Sequence, residues 1–444
     1  MTPIKNLTAV PARFVLAMLL LVFVAVPSRA FAIQEVRSPG GLTAWLVEDH
    51  SIPLIAMSFS FQSGSASDPA GKEGVATFLT GMMDEGAADL DSASFQKARD
   101  DLGFRMSFNA VLDNFEGTFQ TLSSRKDGAF GLLHKAITAP RFDAAPLERM
   151  RQSFTLGLGR KNDDPEQAAF VAWMKQALPG DPYATDSDGT VASLAAMTSQ
   201  DLKDAHHRIF SRTGLKISVV GDMDAASLAK LLDQVFGDLP KGEVQTLPPA
   251  KPFAGAGQVK IIARDIPQSI IVFGHEGPMR DDPGFIPAFV MSEILGGGGF
   301  GSRMTEEIRE KRGLTYGVGA SFNPLQRAGL YIGSLSTRNE KTGEALTLVR
   351  QVMRDMADKG PTQAELDEAK TYLTGSYALR FTSNSVVASQ LLGIQQQGLG
   401  INYVETRNSK IDAVTLDQAK AEAKRLLHPD RLFVTIVGKP EGLK

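Results

Sequence analysis

The order of apolar and polar positions along the chain sorts into strand-like and helix-like runs, and the same order of runs occurs twice. Residues 42–48 and 52–62 (IPLIAMSFSFQ) are strand-like runs separated by a charged turn, and residues 71–83 follow as an apolar helix. Residues 104–119 alternate as further strands, helices dominate 145–210, and KISVV at 216–220 is a strand that stops at Gly221. Beyond residue 258 the pattern restarts. SIIVFGH at 269–275 matches the strand at 55–61, IPAFVMSEIL at 286–295 supplies an apolar helix, and LFVTIV at 432–437 is a last strand before Gly438. The closing segments 198–221 and 415–438 are both 24 residues long, and each reads Thr, amphipathic helix, basic turn, apolar strand, Gly. A matched order of elements in both halves argues for internal duplication. Between the halves, residues 237–257 carry Pro240, Pro248, Pro249 and Pro252 among scattered glycines, a linker composition. The expected fold class is α+β, with two homologous domains over 33–237 and 258–444 joined by 238–257, each a mainly antiparallel sheet covered by helices.

The densest stretch is 296–318, GGGGFGSRMTEEIREKRGLTYGV. Consecutive glycines lose too much backbone entropy to form a helix or strand interior, so they mark a tight loop. A helix follows, with Ser302 as its N-cap, Glu306 and Glu307 in the first turns and Arg309, Lys311 and Arg312 in the last, as the helix dipole favours. Gly313 stops it, and the alternation of Leu314, Tyr316 and Val318 with Thr315 and Gly317 predicts a half-buried strand. The turn between them can bring Arg309 and Tyr316 to one surface. Gly296, Gly298 and Gly301 also satisfy G-x-G-x-x-G, but a dinucleotide site needs a strand before the glycines and an acid about 20 residues on, and neither is present. A phosphate loop fails too, because no Lys-Ser/Thr follows.

Length and composition limit the classes further. A chain of 444 residues suits two domains of about 200 residues each. With 43% hydrophobic and 22% charged residues it has the make-up of a soluble globular protein, and a formal charge of −3 without basic clusters excludes a nucleic-acid binder. At the N-terminus, Lys5 and Arg13 precede 13 apolar residues (14–26), and Ala30-Phe31-Ala32 supplies a small-x-small cleavage pattern. The run is short of the roughly 20 residues a spanning helix needs, so residues 1–32 read as a signal peptide, cleaved to leave a periplasmic chain without a membrane anchor. Loss of Lys5, Arg13 and Arg29 takes the formal charge from −3 to −6. The chain has no cysteine, which excludes thiolate ligands and thiol nucleophiles and leaves stability to large cores.

The 296–318 string resembles a signature of the pitrilysin/insulinase family of inverted-zincin metallopeptidases, and the resemblance covers nearly the whole mature chain. It implies two domains of one fold forming half of a clamshell around a chamber for unfolded peptides. Arg309 and Tyr316 match the family's Arg and Tyr seven residues apart, which hold the scissile carbonyl as charge develops on it. Both are donors, and one donor aimed at a developing oxyanion is worth about 2.7–4 kcal/mol. From the residues alone, an Arg at a charged helix end is ordinarily a solvated cation and a Tyr in a half-buried strand is ordinarily core. The resemblance further assigns Asn109, Ala110, Gly297, Gly298 and Gly299 to substrate binding. Asp164-Pro165 and Gly221-Asp222 also match.

Active members carry H-x-x-E-H on a helix of the first domain, two zinc ligands and a general base, with a further Glu ligand downstream. Here the string GVATFLTGMMDEGA places Thr77, Thr80 and Gly81 at those positions, and residues 150–162 hold no carboxylate before Asp163. None of the three can bind zinc usefully. The six histidines, His50, His134, His206, His207, His275 and His428, show no ligand spacing: His206 and His207 are adjacent and diverge by about 100° on a helix. The resemblance then implies a non-zinc subunit, with no cofactor of its own, that supplies Arg309 and Tyr316 to a zinc-bearing homologous partner acting on unfolded peptides. Two other readings stand beside it: a structural subunit, as zinc-free members are in a respiratory complex, and a periplasmic peptide binder that adds strands at sheet edges.

Overall fold

The computed structural model describes residues 32–243, 247–254, 256–297 and 301–443. The leader assigned to 1–32 therefore lies, but for Ala32, outside the described residues, as do Gly298 and Gly299. Among the described residues eleven strands form two sheets. The first contains β1 (Ile33–Arg37), β2 (Thr43–Glu48), β3 (Leu54–Phe61), β4 (Arg105–Ala110), β5 (Phe115–Leu122) and β6 (Lys216–Gly221) in the order β1-β2-β6-β3-β5-β4. The second contains β7 (Val259–Ala263), β8 (Gln268–Glu276), β9 (Val318–Pro324), β10 (Gly329–Arg338) and β11 (Phe433–Gly438) in the order β7-β11-β8-β10-β9.

The duplication is visible in the pairing. β2 and β6 are parallel, as are β7 and β11, and every other neighbour is antiparallel. Overlaying β2-β6-β3-β5-β4 on β7-β11-β8-β10-β9 leaves only β1 without a counterpart. Neither β1 nor β7 was legible in the hydrophobic pattern, because both are five-residue edge strands with mostly exposed side chains. The helices leading into β6 and β11 begin alike: Thr198 and Thr415 each close a capping box with the residue three positions on, Asp201 and Gln418.

Each sheet has a helix-covered face with its own core. Phe59, Phe119, Phe130 and Phe236 are buried in the first, and Phe273, Met291, Leu295 and Met353 in the second. On the opposite faces the halves exchange helices. The helix Pro165–Ala177, from the first half, lies on β8 and β11, where Trp173 is fully buried and its Nε1 donates to the Phe433 carbonyl oxygen at 3.0 Å. The helix Asn384–Gln396, from the second half, lies on β3 and β6, where the Ser218 hydroxyl donates to the Ala388 carbonyl oxygen at 2.6 Å. The described part of the linker is tied down at three points. The Lys251 N–H donates to Asp181, Arg327 Nε donates to the Pro248 carbonyl, and Phe253 packs on Phe433.

Two sequence expectations need correction. The helix expected over 71–83 is only Val75–Thr80, bounded by Gly74 at φ 89° and Gly81. The strand expected from Leu314 begins at Val318, because Leu314 is tied away by the Thr337 hydroxyl donating to its carbonyl oxygen at 2.6 Å and Thr315 folds onto Gly317.

Candidate functional site

The helix at the zinc-ligand positions is built for packing. Thr77 Oγ1 donates to the Ser187 carbonyl oxygen at 2.6 Å, and Thr80 Oγ1 donates to the Thr77 carbonyl oxygen at 2.6 Å. The neighbouring helix Ala144–Asp163 turns Met150 and Phe154 toward Gly81, where a Cβ would stand 2.8 Å from the Phe154 ring and 3.3 Å from the Met150 sulfur. Phe154 also stacks on Phe78 with ring centroids 5.2 Å apart. The Phe154 ring and the Met150 sulfur thus occupy the space a side chain at position 81 would need, and the donor set present does not fit zinc. Among the described residues no three His, Asp or Glu side chains gather in a metal-binding group.

His50, His206 and His275 have other partners. His50 Nδ1 is 2.7 Å from Asp222, a contact that raises its pKa, and it is largely exposed. His206 bonds the Ile137 carbonyl and stacks on Phe210, and burial lowers its pKa. His275 is buried against Tyr331. Its Nδ1 meets the Glu276 carbonyl oxygen at 2.7 Å and its Nε2 accepts from the His428 N–H at 3.3 Å, so it is neutral with its proton on Nδ1. Burial pushes its pKa down to about 4.

The Arg309 and Tyr316 side chains are brought together. Ser302 caps the segment, its Oγ accepting from the Thr305 N–H, and the backbone then widens into a π-type turn over Thr305–Glu310. Such turns are often found at functional positions. Gly313, at φ +57°, reverses the chain and its N–H bonds the Arg309 carbonyl oxygen at 2.9 Å. The reversal sets the Arg309 guanidinium 5.3 Å from the centroid of the Tyr316 ring, within cation–π range, while Arg309 Nε stands 3.4 Å from Glu310. Tyr316 is 87% exposed, so it is not the core residue that an alternating strand would make it.

Tyr316 stands at the rim of a cavity of about 860 Å³ over β8, β9 and β10, walled by the start of the helix Pro165–Ala177. Gly296, Gly297, Gly317 and Gly319 line it. At Gly297 a Cβ would lie 2.3 Å from the Glu293 carboxyl carbon, so a larger residue there would displace the Glu293 side chain. Two lining residues went unread in the sequence. Glu293 is a carboxyl whose pKa burial raises, and its signal was the lone acid within IPAFVMSEIL; Phe170 gave no signal, because nothing local says that its helix crosses to the other sheet. Asn109 and Ala110 lie on β4, the outer strand of the first sheet, opposite Glu116 and Phe115. They sit on a different sheet from Arg309 and Tyr316, which precede β9, the outer strand of the second sheet.

Comparison with known proteins agrees with this architecture. Residues 44–187 match the family model described as insulinase (peptidase family M16), and residues 196–373 match that described as peptidase M16 inactive domain. The non-peptidase homolog YmxG of Helicobacter pylori is 25% identical over 410 residues, 91% of this chain and 94% of that protein. The uncharacterized zinc protease Mb2805c of Mycobacterium bovis is also 25% identical, over 94% of this chain and 95% of that one. A crystal structure described as a peptidase M16 inactive domain from Pseudomonas fluorescens superposes with a TM-score of 0.86 at 29% identity, covering 93% of this chain and 99% of that one. With two consecutive family models along it and a matching two-sheet fold, the chain belongs to the insulinase family, M16, as an inactive member.

Proposed function

We propose that this chain is the non-zinc subunit of a periplasmic insulinase-family metalloendopeptidase. It offers Arg309 and Tyr316 as donors to the scissile carbonyl of an unfolded peptide whose attacking water is activated on a zinc-bearing homologous subunit. The observation that carries the reading is the exposed Tyr316 ring, held under the Arg309 guanidinium at the rim of an 860 Å³ cavity. A tyrosine that buries almost nothing does not serve the core, and two donors brought together by one turn suit a developing oxyanion. Thr77 and Gly81 at the two ligand positions and Thr80 at the general-base position support a metal supplied by another chain. Residues 1–32, read as a cleaved signal peptide, support a periplasmic location for this chain.

A binding role without chemistry is the second reading, supported by the outer strands β4 and β9, whose free edges suit strand addition by an extended peptide held near Asn109 and Ala110. One experiment separates the two. The tagged chain, recovered from the periplasmic fraction, should begin at Ile33 and bring with it a homologue carrying H-x-x-E-H. The pair should hydrolyse an unfolded peptide in a chelator-sensitive way while neither subunit does so alone. Stoichiometric zinc and chelator-sensitive proteolysis in the isolated chain would overturn the proposal, and a pair no faster than the zinc subunit alone would leave binding as the role.

A further inference from the structure

Behind β9, three arginines from separate elements converge on a cavity of about 320 Å³. Arg280 comes from the loop after β8, Arg380 ends the turn Tyr377–Arg380, and Arg407 stands on the helix Tyr403–Asp412. The other walls are rings, aliphatic groups and neutral polar side chains, without a lysine or a carboxylate. Arg407 is only 4% exposed. Its Nη1 donates to the Leu373 carbonyl oxygen and to Asn408 Oδ1, both at 3.0 Å, and its guanidinium lies 4.1 Å from the Tyr377 ring centroid. Arg280 is held by Gln397 and the Tyr403 hydroxyl, each at 2.9 Å, over the Phe285 ring at 4.2 Å.

All of these acceptors are neutral. Among the described residues none of the three arginines has a carboxylate within the 4.0 Å of an ion pair. Glu293 feels the Arg380 charge but lies in the other cavity, outside that reach. A buried guanidinium without a counter-charge is costly, and here burial first and Arg380 besides hold the Arg407 pKa below its usual range. The arrangement is a preformed deficit of negative charge, lined by ring faces.

We propose that this cavity binds a carboxylate carried on an aromatic body, either the free C-terminus of a peptide ending in an aromatic residue or a free aromatic acid. Guanidinium forks match carboxylates in plane, and the volume is at the small end of ligand sites, enough for one aromatic residue. The inference does not depend on the role of Arg309 and Tyr316.

Titration calorimetry of the purified chain tests it, with N-acetyl-phenylalanine and N-acetyl-phenylalaninamide as probes. The acid should bind at least about 10-fold more tightly than the amide, and less tightly as salt rises. Arg280→Gln and Arg380→Gln should each weaken the acid by about 10-fold without lowering Tm, and Arg407→Met by more. The first two variants keep the test open should Arg407→Met fail to fold. Equal affinity for acid and amide, or wild-type affinity in Arg280→Gln and Arg380→Gln, would sink the proposal. A tetrapeptide Ala-Ala-Ala-Phe that binds more tightly than N-acetyl-phenylalanine identifies a peptide terminus as the natural ligand. Parity identifies a free acid.

Discussion

A phenol and a guanidinium facing each other across a turn can stabilise the fold, the reaction or neither, and exposure discriminates. Tyr316 has 87% of its surface in solvent, so its hydroxyl supports little packing. In a reconstituted complex, Tyr316→Phe keeps the ring under Arg309 and removes one donor, so kcat should fall by about 10²–10³ with Tm unmoved. Arg309→Lys keeps the charge and loses the planar fork, and should be impaired as well. A Tyr316→Phe complex with wild-type turnover would remove the catalytic role and leave the partnership standing. At this scale the sequence was legible where chemistry is local. The spacing of Arg309 and Tyr316 announced their pairing. That Phe154 fills the vacated space was not legible, because a ring 73 positions from Gly81 meets it only through the crossing of two helices.

Among the elements, the segment from Arg303 to Tyr316 depends on an anchor outside itself. Arg303 forks onto Glu365, Nε to Oε1 at 2.6 Å and Nη2 to Oε2 at 2.8 Å, tying the start of the π-type turn to the helix Gln363–Gly375. Burial raises the Glu365 pKa, but the Arg303 fork and the two bonds from Thr362 outweigh it and hold it down to about 2, from an ordinary 4.5. A carboxyl depressed in the fold contributes stability above its unfolded pKa and loses it as pH falls through the folded one. Glu365→Gln should therefore lower Tm near neutral pH, with the gap to wild type shrinking below about 4.5 and closing near about 2. A gap that persists unchanged in acid would assign the effect to shape rather than charge. The anchor explains why the strand expected at Leu314 fails. Alternation at 314–318 is a valid local signal, yet Gly313, the Thr337 hydroxyl and the ends fixed by Arg303 set a different path, and all but Gly313 act from a distance.

For the whole molecule, the duplicated sheets give the chain two cores that each look sufficient, and the exchanged helices decide whether they behave as one. Amphipathic periodicity showed that the second half repeats the first, which is why the two-domain α+β class was legible. It could not show on which sheet a helix lands, since Pro165–Ala177 and Asn384–Gln396 carry apolar faces that would suit either half. Their placement joins the halves through two separate apolar clusters, one around Trp173, Leu330 and Phe433, the other around Trp45, Val220 and Leu391. Trp173 is the largest side chain at the first and also bonds across it, so truncation removes packing and leaves the Phe433 carbonyl oxygen without that donor. Trp173→Ala should cost about 3–5 kcal/mol. Because that loss falls on the joint rather than inside either core, calorimetry of the wild type should show one cooperative transition, and the variant an earlier second-half transition resolved from the first. A variant that still melts in a single lowered transition would mean that the cluster around Leu391 suffices to couple the halves, and Leu391→Ala would then have to be the change that parts them.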